Sequence, residues 1–283
     1  MQQIAEVGNA RTPEQIKHMQ ATIAAGTCAF CDIDRAMNPY DIKLTNYWRA
    51  MENAWPYPGH MYHLVIPCVE HWTTLSQVPD EAWVDAIQLI NALVEKYKIP
   101  GGAIILRFGD FKYHAGTLRH LHFQLQVPSL LGQSFATFGK PDVAQTNETI
   151  AMLTGEKVFR SQHYEIAPRG EYWFVGKYEK PRPHTLNEFV VGPLKKMTLP
   201  MLAKTPAAIT ELFAKVKNLE MNHELPGGAI VLYFGDGKVN GTEYPVINAK
   251  VIVAADTGPV LEVFHPAFNE QQAMRSMKFL YKK

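Results

Sequence analysis

The stretch Pro100-Gly-Gly-Ala-Ile-Ile-Leu-Arg-Phe-Gly-Asp110 returns later in the chain as Pro226-Gly-Gly-Ala-Ile-Val-Leu-Tyr-Phe-Gly-Asp236. Gly227 follows Gly101 at an offset of 126 positions, well beyond the roughly 20–50 residues of a solenoid unit. The same ungapped offset pairs Pro67 with Pro193, Ala82 with Ala208, Leu93 with Leu219 and Val127 with Val253. A match spread this widely points to a duplicated domain whose halves pack as a pseudo-dimer within one chain.

Each half carries the same order of elements. Trp83, Ile87, Ile90, Val94 and Tyr97 recur at helical spacing after Pro79-Asp80-Glu81, and Ile209, Leu212, Phe213, Val216 and Leu219 repeat the pattern. Pro-Gly-Gly ends each helix. The apolar runs 103–108 and 229–234 then read as strands, followed by a Gly-Asp turn and a further strand over 120–127 or 246–253. Strand–helix–strand–turn–strand predicts an α+β fold with mostly antiparallel sheets. A first helix is expected from Pro13, with Thr12 and Gln15 as a capping box. The expected division is a catalytic half over 1–140, a linker over 141–168 and a degenerate half over 169–283. Gly, Ser and Pro mark 130–168 as loop, with 143–153 as a possible helix.

The 283 residues are 47% hydrophobic with a net charge of +1, which fits a soluble globular chain and gives no support to nucleic-acid binding. No apolar run is long enough to cross a bilayer. The first residues lack the charged-then-apolar pattern of a secretory signal. Three cysteines do not make a disulfide framework, so a reducing, cytoplasmic setting is expected. Cys68 reads as a small core residue.

In His120-Leu-His122-Phe-Gln124-Leu-Gln126 polar and apolar residues alternate. On a strand His120, His122 and Gln124 share one face while Leu121, Phe123 and Leu125 turn to the core. Such a face suits phosphate or metal; the alternative is a surface strand with two histidines. At the repeat offset these three polar positions become Val246, Asn248 and Lys250, whereas Leu121 and Leu125 become Ile247 and Val251. The core face persists and the polar face diverges, which predicts chemistry in one copy only. Cys28-x-x-Cys31 supplies half of a tetrahedral zinc site, with His71 and His120 as the candidate partners. A redox pair or two buried thiols are the alternatives.

These motifs together resemble the histidine-triad superfamily, in the branch with the HxHxQ signature. That branch includes galactose-1-phosphate uridylyltransferase, dinucleoside-polyphosphate phosphorylases (ATP adenylyltransferases) and GDP-hexose phosphorylases. The resemblance spans Cys28 to Pro128. It rests on Cys28-Ala-Phe-Cys31, Asn53-Ala-Trp-Pro-Tyr57, Leu64-Val-Ile-Pro67 followed by His71, and Ala115-Gly-Thr-Leu-Arg-His-Leu-His-Phe-Gln124. It implies a duplicated fold with one catalytic half, His122 as nucleophile and Gln124 as a donor to the phosphoryl oxygens. It further implies a structural zinc on Cys28, Cys31, His71 and His120, phosphate contact by Thr117, and a nucleoside pocket at Asn53, Pro56 and Tyr57. Arg107 stands where the family usually has asparagine.

The implied activity is a nucleotidyltransferase or phosphorylase that works through a nucleotidyl-histidine. It would move a nucleoside monophosphate from a nucleotide or nucleotide sugar to a phosphate-bearing acceptor. Arg107, Arg119 and Lys112 are candidates to neutralise the leaving phosphates, and the Ala115 and Gly116 amides, with Gln124 and Thr117, are candidate donors to the equatorial oxygens. His114 is expected at the surface. A nucleotide hydrolase and a non-catalytic nucleotide-binding module are the competing readings. The base, the sugar and the acceptor are not fixed by sequence, and the chain is expected to be a monomer or a homodimer.

Overall fold

The computed structural model describes residues 3–33, 41–57, 59–129, 135–138, 163–182, 184–240, 246–255 and 260–263. The expected helix at 143–153 lies outside the described residues.

The first half runs α1 (Pro13–Ala25), β1 (Asp41–Leu44), β2 (Arg49–Glu52), β3 (His60–Pro67), α2 (Asp80–Lys96), β4 (Gly101–Gly109) and β5 (His122–Pro128). After β6 (Phe135–Phe138) and β7 (His163–Glu165), the second half follows as β8 (Trp173–Tyr178), β9 (Thr185–Pro193), α3 (Leu199–Ala203), α4 (Pro206–Asn222), β10 (Gly227–Gly235), α5 (Gly237–Asn240), β11 (Asn248–Ala254) and β12 (Val260–Val263). The expected α+β duplication is therefore present. The short strands β1, β2, β6, β7 and β12 carry too few residues for a readable period, and sequence reasoning missed them together with β8.

Ten strands form one sheet in the order β1-β2-β3-β5-β4-β10-β11-β9-β8-β7. At its centre the two copies of the repeated motif pair antiparallel with each other, from Gly101 opposite Gly235 to Gly109 opposite Gly227, with Ile105 opposite Val231 midway. The closing turns exchange main-chain bonds: Asp110 N–H donates to Pro226 O and Asp236 N–H to Pro100 O, both at 2.9 Å. Gly109 and Gly235 both sit at φ 76°, and a Cβ on either would press on the facing proline carbonyl.

One face of this sheet carries Ile104, Leu106, Phe108, Phe123, Leu125, Ile230, Leu232 and Val251, buried with α2 and α4 in the main core. Trp83 stacks on Phe213 across the two helices, 4.1 Å between ring centroids. The indoles of Trp48 and Trp173 anchor equivalent strands by donating to Ala82 O and Ala208 O. The other face holds Ala103, Ile105, Ala229 and Val231 beneath the β6–β12 ribbon.

Register corrects the sequence offset in one place. Val65 lies opposite Gln124 and Val190 opposite Lys250, so the strand before each long helix is displaced by one residue. Pro67 and Pro193 are therefore not equivalent positions. At α1 the Thr12 hydroxyl accepts from Gln15 N–H, but the Gln15 side chain accepts from Arg11 N–H, one residue outside the expected box.

Gly109→Ala is expected to destabilise the chain by well over the 1–2 kcal/mol that a left-handed alanine costs, because a second clash is added. Gly26→Ala, at φ 70° with open space around it, should cost only about 1–2 kcal/mol. Urea denaturation of both variants checks the difference; equal losses would contradict it.

Candidate functional site

Strand β5 carries the alternation that the sequence foretold. Leu121, Phe123 and Leu125 enter the helix-side core. His122 and Gln124 line a cavity of about 340 Å³ on the opposite face. Ala29, Phe30 and Ile33, residues 51–55 with Tyr57, α1 and the loop 115–118 contribute to its walls, whereas Pro56 does not line it.

His122 is 7% exposed. Its Nδ1 lies 2.7 Å from the His120 carbonyl oxygen, so Nδ1 carries the proton and donates, leaving the Nε2 lone pair free. Nε2 is 3.4 Å from Gln124 Nε2. Burial, opposed by the bond to the His120 carbonyl and reinforced by Arg107, pushes the imidazole down to about 4. The ring is therefore neutral at physiological pH.

Arg107 stands opposite His122 in the β4–β5 ladder and is 4% exposed. Its Nε donates to His114 O at 2.9 Å, and its Nη2 to Tyr57 Oη and Thr137 O, both at 3.3 Å. All three acceptors are neutral, and no carboxylate pairs with Arg107 among the described residues. A second guanidinium, Arg11, lies 3.8 Å over the Tyr57 ring and donates to Trp55 O. Two cations thus converge on one phenol, whose pKa they pull below the usual tyrosine value against the effect of burial. A buried cation without a counter-charge costs several kcal/mol, so this end of the cavity favours an anion.

His114 corrects the sequence expectation. It is buried, not at the surface. Its Nδ1 accepts from Gly116 N–H at 2.9 Å while its carbonyl holds Arg107. Burial, with Arg107 nearby, pushes it down to about 3. The Ala115 and Gly116 amides are also not available to a ligand, since they donate to Phe111 O and His114 Nδ1. Thr117 lines the cavity, as do Asn53 and Tyr57. Arg119 and Lys112 do not line it; the main chain of Arg119 bonds Ile4 O.

The four expected metal ligands meet. Cys28 Sγ, Cys31 Sγ, His71 Nδ1 and His120 Nδ1 all lie within 4.8 Å of one another. His120 Nδ1 is 3.2 Å from His71 Nδ1, 3.5 Å from Cys28 Sγ and 3.6 Å from Cys31 Sγ. A tetrahedron with Zn–S and Zn–N bonds of normal length has edges of about 3.3–3.8 Å. The cluster therefore fits a four-coordinate ion such as zinc. His120 Nε2 donates to Cys68 O at 2.7 Å, which fixes the tautomer with Nδ1 open to a metal. Burial and the neighbouring Cys28, Asp32 and Glu70 push the Cys31 thiol up to about 12, a crowding of negative groups that a cation relieves. Between the two cysteines Phe30 packs edge-on against both His120 and His122.

Sequence reasoning missed Arg11, Phe30, His63 and Gln126. Arg11 reaches the cavity from a part of the chain without a motif of its own, and Phe30 sits inside the Cys28-x-x-Cys31 motif at a position the metal reading did not use. His63 and Gln126 face each other only through the β3–β5 register. The second copy has Asn248 and Lys250 at the positions of His122 and Gln124, with Glu188 paired to Arg182 at 2.6 Å. Its polar face is an ion-pair cluster.

The chain matches no model of a known protein family and no curated protein. Among solved structures it is similar to an ADP-glucose phosphorylase from Arabidopsis thaliana with bound ADP-glucose, 14% identical over 80% of each chain, TM-score 0.50. A DUF4931 family protein from Bacillus cereus ATCC 10987 is 12% identical over 86% of this chain and 100% of that one, TM-score 0.49. A uridylyltransferase is 15% identical over 90% of each, TM-score 0.49. The first likeness shows a shared fold, the one that the HxHxQ resemblance implied.

Elemental analysis of the purified chain is expected to find one divalent metal ion per molecule, lost in Cys28→Ser. Chelation should lower the melting temperature. A chain without metal, indifferent to chelator, would contradict the cluster. His114 gives a pH prediction. Folded it titrates near 3 and unfolded near 6.5, so its contribution is complete above about 6.5. As pH falls toward 3, up to about 1.4 kcal/mol is lost per unit. Urea midpoints at pH 7.5 and 5 should fall further apart in wild type than in His114→Asn; an equal fall would contradict a neutral buried His114.

Proposed function

We propose that this chain, with the fold it shares with an ADP-glucose phosphorylase, is a nucleotidyltransferase or phosphorylase whose nucleophile is His122. The observation that carries the proposal is the pairing of a neutral His122, its Nε2 lone pair in a cavity, with a buried Arg107 that has no carboxylate partner.

The chemistry follows from those groups. Nε2 donates its lone pair to the α-phosphorus of a nucleotide or nucleotide sugar. The P–N bond forms as the bond from that phosphorus to the leaving oxygen breaks, and the leaving phosphate departs with the electron pair. Nδ1 keeps its proton, held on the His120 carbonyl, so the positive charge that develops on the ring is stabilised there. Gln124 and Thr117 donate to the phosphoryl oxygens, and Arg107 with Arg11 neutralises the phosphates. An oxygen of a phosphate-bearing acceptor then attacks phosphorus, the P–N bond breaks, and the imidazole is restored. Gln124 is no proton donor at neutral pH, which favours a phosphate acceptor over water. Asn53, Pro56 and Tyr57 are assigned to the nucleoside side. Arg119 serves phosphate only if the loop before β5 moves it to the cavity.

Zinc is the proposed ion at Cys28, Cys31, His71 and His120, with a structural role. When bound it ties the segment bearing Phe30 to the start of β5. The catalytic half is assigned to 1–140 and the supporting half to 169–283, joined by 141–168, in a cytoplasmic monomer or homodimer.

A panel of α-labelled nucleotides and nucleotide sugars tests this directly. The chain is expected to retain label after denaturation with at least one of them. His122→Asn should reduce labelling by a factor of about 10³ or more. Phosphate or a sugar phosphate should discharge the label as a nucleotide. Label that is indifferent to His122, or no label with any member, would overturn the proposal; monophosphate released equally fast without acceptor would make the chain a hydrolase.

A further inference from the structure

We infer that His63 is a positioning residue: with Gln126 it locks the Gln124 amide so that its nitrogen, not its oxygen, faces His122 and the phosphoryl group. This rests on the reading of His122 as the nucleophile.

A glutamine amide is nearly symmetric in shape, and turning it over exchanges a donor for an acceptor. Turned over, Gln124 would set an oxygen against the oxygens of a phosphate. His63, whose tautomer is set by the main chain, opposes this, and Gln126 is arranged in the same sense beside it. Gln126 Nε2 donates to Gln124 Oε1 at 2.8 Å, and His63 Nε2 lies 3.3 Å from the same oxygen. The His63 tautomer is set by the main chain. Tyr57 N–H donates to His63 Nδ1 at 3.0 Å, so the proton resides on Nε2. The other groups near Nε2 are donors, Asn53 Nδ2 at 3.0 Å and Gln126 Nε2 at 3.5 Å. The Asn53 oxygen is held by Trp55 N–H at 2.9 Å. Gln124 Oε1 is therefore the acceptor left for the His63 proton among the described residues.

The ring itself is fixed. His63 is buried, sits opposite Gln126 in the β3–β5 register, and stacks on Tyr57 with 5.3 Å between centroids and 4° between planes. The second copy separates this role from folding. There Glu188 lies opposite Ile252, and Lys250 takes the place of Gln124. The same sheet forms without the lock, and the copy without the lock also lacks the nucleophile.

The test measures the rate of labelled-enzyme formation at saturating nucleotide, and nucleotide affinity, in His63→Leu, Gln124→Ala and the double variant. His63→Leu is expected to slow labelling on the order of 10- to 100-fold while Kd moves less than about threefold. In the Gln124→Ala background His63→Leu should have no further effect, because the group it orients is gone. His63→Gln, which restores a donor, should recover part of the rate. Gln126→Leu should show the same dependence on Gln124, and it decides the matter should His63→Leu fail to fold. Wild-type labelling by His63→Leu, or an equal slowing of Gln124→Ala, would overturn the inference alone. A wild-type chain that takes no label from any nucleotide overturns the nucleophile reading and this one with it.

Discussion

The pairing of β4 with β10 is the constraint on which the rest of the molecule depends. Nine residue pairs in unbroken antiparallel register join the two copies of one motif. Two glycines at φ 76° let the closing turns bond across the seam. Once that ladder forms, the two sheets become one, α2 and α4 share a core, and β4 lies between β10 and β5 with Arg107 opposite His122. A strand buried on both faces must be apolar nearly throughout. Arg107 is the exception in its copy of the repeat, and Tyr233 takes its place opposite Asn248 in the other.

His120 connects the two chemical centres. Its ring contributes to the thiol–imidazole cluster, and its carbonyl sets the tautomer of His122. Phe30, between the two cysteines, packs on both imidazoles. A metal at the cluster would thus fix the orientation of the reactive ring without touching it, in the manner of an outer partner that orients a ligand. Arg107 is held on the other side by His114, a neutral buried imidazole whose carbonyl accepts from the guanidinium. The site is built from short-range main-chain bonds to imidazoles, and burial pushes three of its histidines down to about 3 or 4 against the opposing effect of those bonds.

Much of this was legible in the sequence because it is written in periodic or clustered form. The alternation through His120 to Gln126 placed β5, the helical spacing placed α2 and α4, and the repeat placed the central strands. The spacing of Cys28 and Cys31, with His71 and His120 as candidate partners, points to the cluster that the fold assembles. Other parts have no local signature. His63 lies in the strand His60–Pro67, and its meaning arises only when register sets it across from Gln126. Arg11 reaches the cavity from the start of α1, across the fold from β5. His114 belongs to no periodic pattern, and the turn after β4 folds it inward, so its burial has no signal in the sequence. The one-residue slip between Pro67 and Pro193 was hidden because proline recurs near the right place in both copies.

The decisive measurement is the site and atom of attachment in the chain after incubation with nucleotides and nucleotide sugars. Peptide mapping by mass spectrometry, with the adduct resolved by crystallography, should find one nucleoside monophosphate per chain on Nε2 of His122. An adduct on Nδ1, on another residue, or on the second copy would contradict the geometry from which the function was drawn.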